Sequence, residues 1–282
     1  MKFERGGSVS KITAWFTGVI LVVLGAIVAF IPFGNPLSEY LVTRNAENYL
    51  NENYENTDYY IETVNYDFKT GSYYVHIAAP DSLDKSFTLY AGSDGKITFD
   101  TYESSVLEKW NTANRINSEY FEKTRSILER DDFPYNEHIA FGEIYFKENG
   151  VPEGEEIPDY GLSTADLVLD GVYDISEIGA MAGELTVYIY DEDISIERLS
   201  EILLGIKEFL DDNGVTFYVI DCILEYPRPE DEDAAPKEGR TEVMNFLYKD
   251  IYQEGLTDRV RLSDLKAKEY WETQDALNDK EF

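Results

Sequence analysis

The hydrophobic pattern begins with one long uncharged run, ITAWFTGVILVVLGAIVAFIPF from Ile12 to Phe33, and then breaks into short alternating registers. At about 1.5 Å per residue, a helix of that length covers a bilayer core of about 30 Å. The run therefore predicts a transmembrane anchor over residues 12–33. A cleaved signal peptide fits less well, because its apolar core spans about 7–15 residues and ends at small residues. Here Ala29 as the last residue removed would leave the bulky Ile27 two places before it, and no cysteine follows for lipidation. Lys2, Arg5 and Lys11 precede the run, and the next basic residue is Arg44. That asymmetry places residues 1–11 in the cytoplasm and the chain beyond about residue 36 outside the cell.

Beyond the run, Leu37, Tyr40, Leu41, Ala46, Tyr49 and Leu50 recur at helical spacing, with Asn35 as cap and Pro36 as first helical residue. Period-two stretches follow, separated by turn chemistry. Tyr60, Val64, Tyr66 and Phe68 share one strand face, and Lys69–Ser72 turns the chain into Tyr73, Val75, Ile77 and Ala79. After Pro80–Ser82 comes Phe87–Tyr90, and Ser93-Asp94-Gly95 is a hairpin signal leading into Ile97 and Phe99. Val106, Trp110, Ala113, Ile116, Tyr120, Thr124 and Ile127 then form one helical stripe. The order αββββα predicts an α+β unit with an antiparallel sheet over residues 34–133.

A second unit is expected over residues 134–262. Residues 139–146 alternate as a strand, and residues 149–161 are rich in Gly, Pro and Glu. Residues 162–182 read ambiguously, with a short helix near Ile175–Met181, before a strand through Leu185, Val187 and Ile189. Ser195 opens a helix whose apolar positions are Ile196, Leu199, Ile202, Leu203, Ile206, Phe209 and Leu210, closed by Asn213-Gly214. Val215–Tyr226 reads as a long strand, Pro227–Gly239 as an acidic loop, Thr241–Tyr248 as another strand and Lys249–Glu254 as a helix. The order is about βαββα, again α+β with an antiparallel sheet, and residues 263–282 form a polar tail.

Composition narrows the function. Hydrophobic residues make up 43% of the chain, enough to fill two cores. Fifty-six acidic residues against 24 basic ones give a net charge of −32, spread along the soluble part. Such a field repels phosphate backbones, so a nucleic-acid partner is excluded. The single cysteine, Cys222, forbids an intrachain disulfide.

Motifs that carry chemistry were sought and set aside. Ser82-Leu83-Asp84-Lys85 and Lys69-Thr70-Gly71 match the S-x-x-K and K-T-G of penicillin-interacting enzymes, but in inverted order and in turns. His76 lies on a polar strand face and His138 at a strand start, without the spacing of a zinc site. Cys222 shares a strand face with Ile220 and Leu224 and reads as core. The acidic runs at 191–193, 211–212 and 230–233 lack the layout of a calcium loop. No residue is therefore assigned as catalytic, cofactor-binding or metal-ligating, and no cofactor is expected. With 56 acids, a glycosidase-type pair has no sequence signature.

One resemblance adds to this reading. The run Tyr49-Leu50-Asn51-Glu52-Asn53-Tyr54, then Val64-Asn65-Tyr66, Gly71-Ser72-Tyr73-Tyr74-Val75 and Ser86-Phe87, resembles the YfjL-like proteins of Bacillus and relatives. Asp100-Thr101-Tyr102-Glu103 and Asn111-Thr112-Ala113-Asn114-Arg115 continue the pattern. The resemblance is most specific over residues 40–120 and looser beyond. It implies small membrane-anchored proteins of unknown role and transfers no catalytic residues.

The sequence thus leads to a membrane-tethered, extracytoplasmic protein acting as a non-catalytic interaction or structural module. Its expected partners are the membrane, through residues 12–33, and a protein or cell-envelope component. The alternative is a cell-surface hydrolase using a carboxylate pair on peptide or glycan.

Overall fold

Two four-stranded sheets organise the chain, one in residues Met1–Asn111 and one in Thr112–Phe282. They are seen in a computed structural model that describes residues 15–20, 34–135, 138–151, 157–227, 229 and 237–278. The α+β class stands, but two parts of the expected architecture are corrected.

The first correction concerns the N-terminal transmembrane helix. Among the described residues, no helix is long and apolar enough to cross a membrane. Within 12–33 only residues 15–20 are described, as helix. Residues 12–14 and 21–33 lie outside the described residues, and the transmembrane element of the fold is not supported.

In the first unit, α1 (Pro36–Asn53) starts where Asn35 Oδ1 accepts from the backbone N–H of Leu37 at 2.9 Å, with Pro36 in the first turn. Its buried stripe is Ser38, Val42, Ala46 and Leu50, one residue every four. Leu37 and Tyr40, expected on that stripe, point to solvent. The strands β1 (Tyr60–Asp67), β2 (Ser72–Ala78), β3 (Ser86–Ala91) and β4 (Ile97–Asp100) form an antiparallel meander in sequence order. Tyr73, Val75 and Ile77 of β2 and Phe87, Leu89 and Ala91 of β3 are buried, in strict alternation. Val75 pairs with Leu89 and Ile77 with Phe87. An irregularity between Ile61 and Thr63 interrupts the alternation of edge strand β1. Phe99 of β4 is 61% exposed.

The stripe from Val106 to Ile127 is not one helix. A π-helical turn at Glu103–Leu107 closes with the N–H of Glu108 donating to Glu103 O, and Lys109 has a φ of 62°. That left-handed residue ends the turn, and α2 (Trp110–Leu128) starts afresh. From Thr112 onward α2 belongs to the second unit. Its Leu128 enters that unit's core, and Tyr120 Oη donates to Thr216 O at 2.9 Å.

The second unit runs β5 (His138–Ile144), α3 (Ile175–Ala182), β6 (Gly183–Tyr190), α4 (Ile196–Asp212), β7 (Val219–Glu225), β8 (Arg240–Leu247) and α5 (Leu256–Asn278). Its sheet order is β5-β6-β7-β8. The second correction lies here: β6 and β7 pair in parallel, so the sheet is mixed rather than antiparallel. The cause is the 17-residue α4, which carries the chain back along β6, so that the next strand starts at the same end. Ser195 caps α4 by accepting from Arg198 N, and Gly214 follows its end at a φ of 66°. Leu199, Ile202, Leu203, Ile206 and Leu210 pack on Leu185, Val187, Ile189, Ile220, Cys222 and Leu224. Gly142 lets α2 approach closely, since a Cβ there would lie 2.8 Å from the Thr124 hydroxyl. Edge strand β8 is covered by α5, whose Asp264 accepts from Glu242 N at 3.1 Å. The helix expected at Lys249–Glu254 is only a 3-10 turn at Tyr248–Asp250, and the tail from Ser263 lies within α5.

Candidate functional cleft

The first unit carries an open cleft of about 390 Å³, inside the usual range for small-molecule sites of about 300–1,000 Å³. Two chain reversals and one aromatic residue build it. The turn after α1 contributes Asn56, Thr57, Asp58 and Tyr59. Thr57 donates through both its N–H and its Oγ1 to Tyr54 O, and Asn56 takes a φ of 67°, a conformation asparagine tolerates better than most residues. The β2–β3 turn contributes Ala79, Pro80, Asp81, Ser82 and Lys85. It is closed by Ala79 N donating to Lys85 O and Lys85 N donating to Ser82 Oγ at 2.8 Å. Asn111 Nδ2 clamps its base, donating to the carbonyls of Asp84 at 2.8 Å and Ser86 at 2.6 Å.

Tyr59 and Tyr102 form the aromatic wall, and they belong to a four-ring cluster with Tyr54 and Phe87. Ring centroids are 4.7 Å apart for Tyr54–Tyr102, 5.2 Å for Phe87–Tyr102 and 5.2 Å for Tyr59–Phe87. Behind them, Asp100 accepts from Tyr49 Oη at 2.5 Å, from Tyr54 Oη at 3.1 Å and from Tyr102 N at 3.0 Å. The Asp100 hydrogen bond pushes the Tyr49 phenol up to about 12. Burial raises the phenols of Tyr54 and Tyr59 further, so both stay neutral donors at any physiological pH. The wall is therefore an uncharged aromatic surface held by fixed hydrogen bonds, and the rim offers both donors and acceptors.

The penicillin-interacting resemblance fails on geometry. Ser82 spends its oxygen as a turn acceptor, and Lys69-Thr70-Gly71 lies at the other end of β2. The seven residues of that strand separate the two turns by about 20 Å. His76 sits on the outward face of β2, with Nε2 3.4 Å from Glu62 Oε2. His138 opens β5, and its side chain lies outside the described residues.

Three carboxyls with raised pKa values belong to the second unit's sheet. Glu184 of β6 and Asp221 of β7 have raised pKa values caused mainly by burial, with Asp221 and Glu143 adding to Glu184. Tyr160 donates to Glu184 and stacks on Tyr218 at 4.5 Å, and Asn245 N donates to Asp221 at 2.6 Å. Glu242 is also raised by burial, opposed by Arg240 at 3.2 Å. None of these carboxyls lines the cleft, whose own acids, Asp58 and Asp81, are exposed. Among the described residues, no group of three or more His, Cys, Asp or Glu is placed to hold a metal ion. Cys222 is fully buried, and burial followed by Asp221 pushes its thiol up to about 12. Asp191 and Asp193 serve as loop acceptors ahead of α4, and Asp211 pairs with Lys207.

Sequence reasoning did not single out the cleft, because its residues come from three separated turns. A signal did exist for Asp221, which interrupts the apolar run Val219–Leu224 and is half-buried there.

Comparison with known proteins adds the following. Residues 9–101 match the family model of the YfjL-like N-terminal domain, and residues 119–261 match that of the YfjL-like C-terminal domain. No curated protein matches the chain. Among solved structures, the chain is similar to the crystal structure of a DUF5037 family protein from Ruminococcus gnavus ATCC 29149. That similarity has 16% identity, covers 66% of this chain and 74% of the other, and has a TM-score of 0.20, so nothing is argued from it.

Proposed function

We propose, from the premise that this chain belongs to the YfjL-like family, that its N-terminal unit is a non-catalytic binding module with its ligand seated in the cleft. The observation that carries this reading is the composition of the cleft wall: two fixed tyrosines under a polar rim. A hydrolase needs two carboxyls in unlike environments, one of them with a raised pKa to act as acid. The raised carboxyls, Glu184, Asp221 and Glu242, do not line this cleft. Ser82 Oγ serves the turn as acceptor for the backbone N–H of Lys85.

The test is turnover. Chromogenic glycosides and a mixed peptide library incubated with the purified protein stay intact. Product formation that disappears in the double variant Asp58→Asn, Asp81→Asn would overturn the proposal and restore the hydrolase.

A further inference from the structure

We infer that the cleft binds an uncharged saccharide, with a pyranose face laid against one of the two wall rings, Tyr59 or Tyr102, whose planes stand at 87° to each other; this rests on the binding-module reading above. The argument is one of matching chemistry. A sugar ring has an apolar C–H face and a rim of hydroxyls that each donate and accept. The cleft offers the complement: an aromatic wall on one side, and on the rim the carboxylates of Asp58 and Asp81 as acceptors with Asn56 and Lys85 as donors.

Charged ligands fit worse. An anion would meet two carboxylates against one ammonium, in a chain whose net charge is −32. A cation would meet Lys85 beside the two carboxylates, so it is the rival ligand that the spermidine arm below tests. An apolar ligand would strip water from six or more polar side chains without replacing their hydrogen bonds. An uncharged polyol engages acceptors and donors together and needs no countercharge from the lining.

The site is also set before any ligand arrives. The bonds from Thr57 to Tyr54, from Lys85 to Ser82 and from Asn111 to Asp84 and Ser86 hold both rim turns. Binding therefore needs little further ordering of the rim.

The experiment is isothermal titration of the full chain with four probes: cellotetraose and the N-acetylglucosamine tetramer as uncharged saccharides, tetragalacturonate as an anion and spermidine as a cation. The expected result is saturable binding of at least one uncharged tetrasaccharide, about tenfold stronger than either charged probe. Tyr102→Ala should weaken it about tenfold. Because Tyr102 also packs in the ring cluster, the exposed Asp81→Ala and Lys85→Ala serve as controls that leave the fold intact, each expected to weaken binding several-fold. Binding of spermidine or tetragalacturonate alone, weakened by the rim variants, overturns the saccharide and leaves the binding module standing. Binding of none of the four probes, or saccharide binding untouched by all three variants, overturns the inference.

Discussion

The two units answer the same problem, covering a four-stranded sheet, in opposite ways. The first uses a meander in sequence order and spends its aromatic residues on a ring cluster that also walls a cleft. The second inserts α4 between β6 and β7, gains a parallel pair, and fills its core with aliphatic side chains from α4 and three strands. The polar groups divide the same way. The first unit buries Asp84 in its β2–β3 turn, hydrogen-bonds Asp100 to phenols and exposes Asp58 and Asp81 at the cleft rim, while the second buries Glu242 and half-buries Glu184 and Asp221 on its sheet. The lesson is that perturbed carboxyls do not by themselves mark a site. Here they lie away from the cleft, and the unit that carries them owes its stability to its apolar core.

The sharpest way to break the contrast is to cut that core. Leu203→Ala removes a fully buried side chain among Leu199, Ile206 and the sheet, and should cost about 2–5 kcal/mol by chemical denaturation. A loss below about 1 kcal/mol would mean that α4 does not carry the unit. Next in size are the helix caps, one in each unit. Asn35→Ala and Ser195→Ala each remove an acceptor for a first-turn N–H and should cost about 1 kcal/mol.

The buried carboxyls give a smaller effect with a defined sign. A carboxyl whose pKa is raised on folding contributes stability below its unfolded value and loses it as pH rises through the folded value. Asp221→Asn keeps an oxygen for Asn245 N and removes the charge, so it should raise the melting temperature at neutral pH. That gain should shrink as the pH falls into the ordinary carboxylate range. Asp191 is the opposite control: the Asp193 backbone N–H, then Arg198, lower its pKa, so Asp191→Asn should destabilise at neutral pH and lose its effect in acid. Equal slopes for the two variants would contradict the burial account. The smallest effect belongs to exposed ion pairs such as Arg261–Glu197 at 3.2 Å, whose removal should change stability by about 0.5 kcal/mol or less.

How much was legible in the sequence follows from the range of each interaction. Asn35-Pro36, Ser195 and Asn213-Gly214 act within one turn of the chain, and the structure places all of them at helix ends. The alternation in β2 and β3 is equally local and equally readable. The break at Lys109 was hidden because its helical spacing continues on both sides, and only the left-handed backbone divides it. The parallel pairing of β6 and β7 was legible in the strand–helix–strand order around Ser195–Leu210, which the antiparallel expectation set aside. The run at 12–33 reads by hydropathy as a spanning helix, whereas among the described residues no helix is long and apolar enough to cross a membrane. The cleft was not legible, because its residues come from three separated segments. Asp58, Asp81 and Tyr102 are polar or aromatic turn residues of ordinary kind, and only the meander collects them.

The most direct test of the binding-module account is an amide-resolved NMR titration of the chain with the uncharged tetrasaccharides. The account predicts shifts concentrated at residues 56–59, 79–85 and 102, with the sugar recovered intact. Shifts confined to the second unit, or cleavage of the sugar, would contradict it.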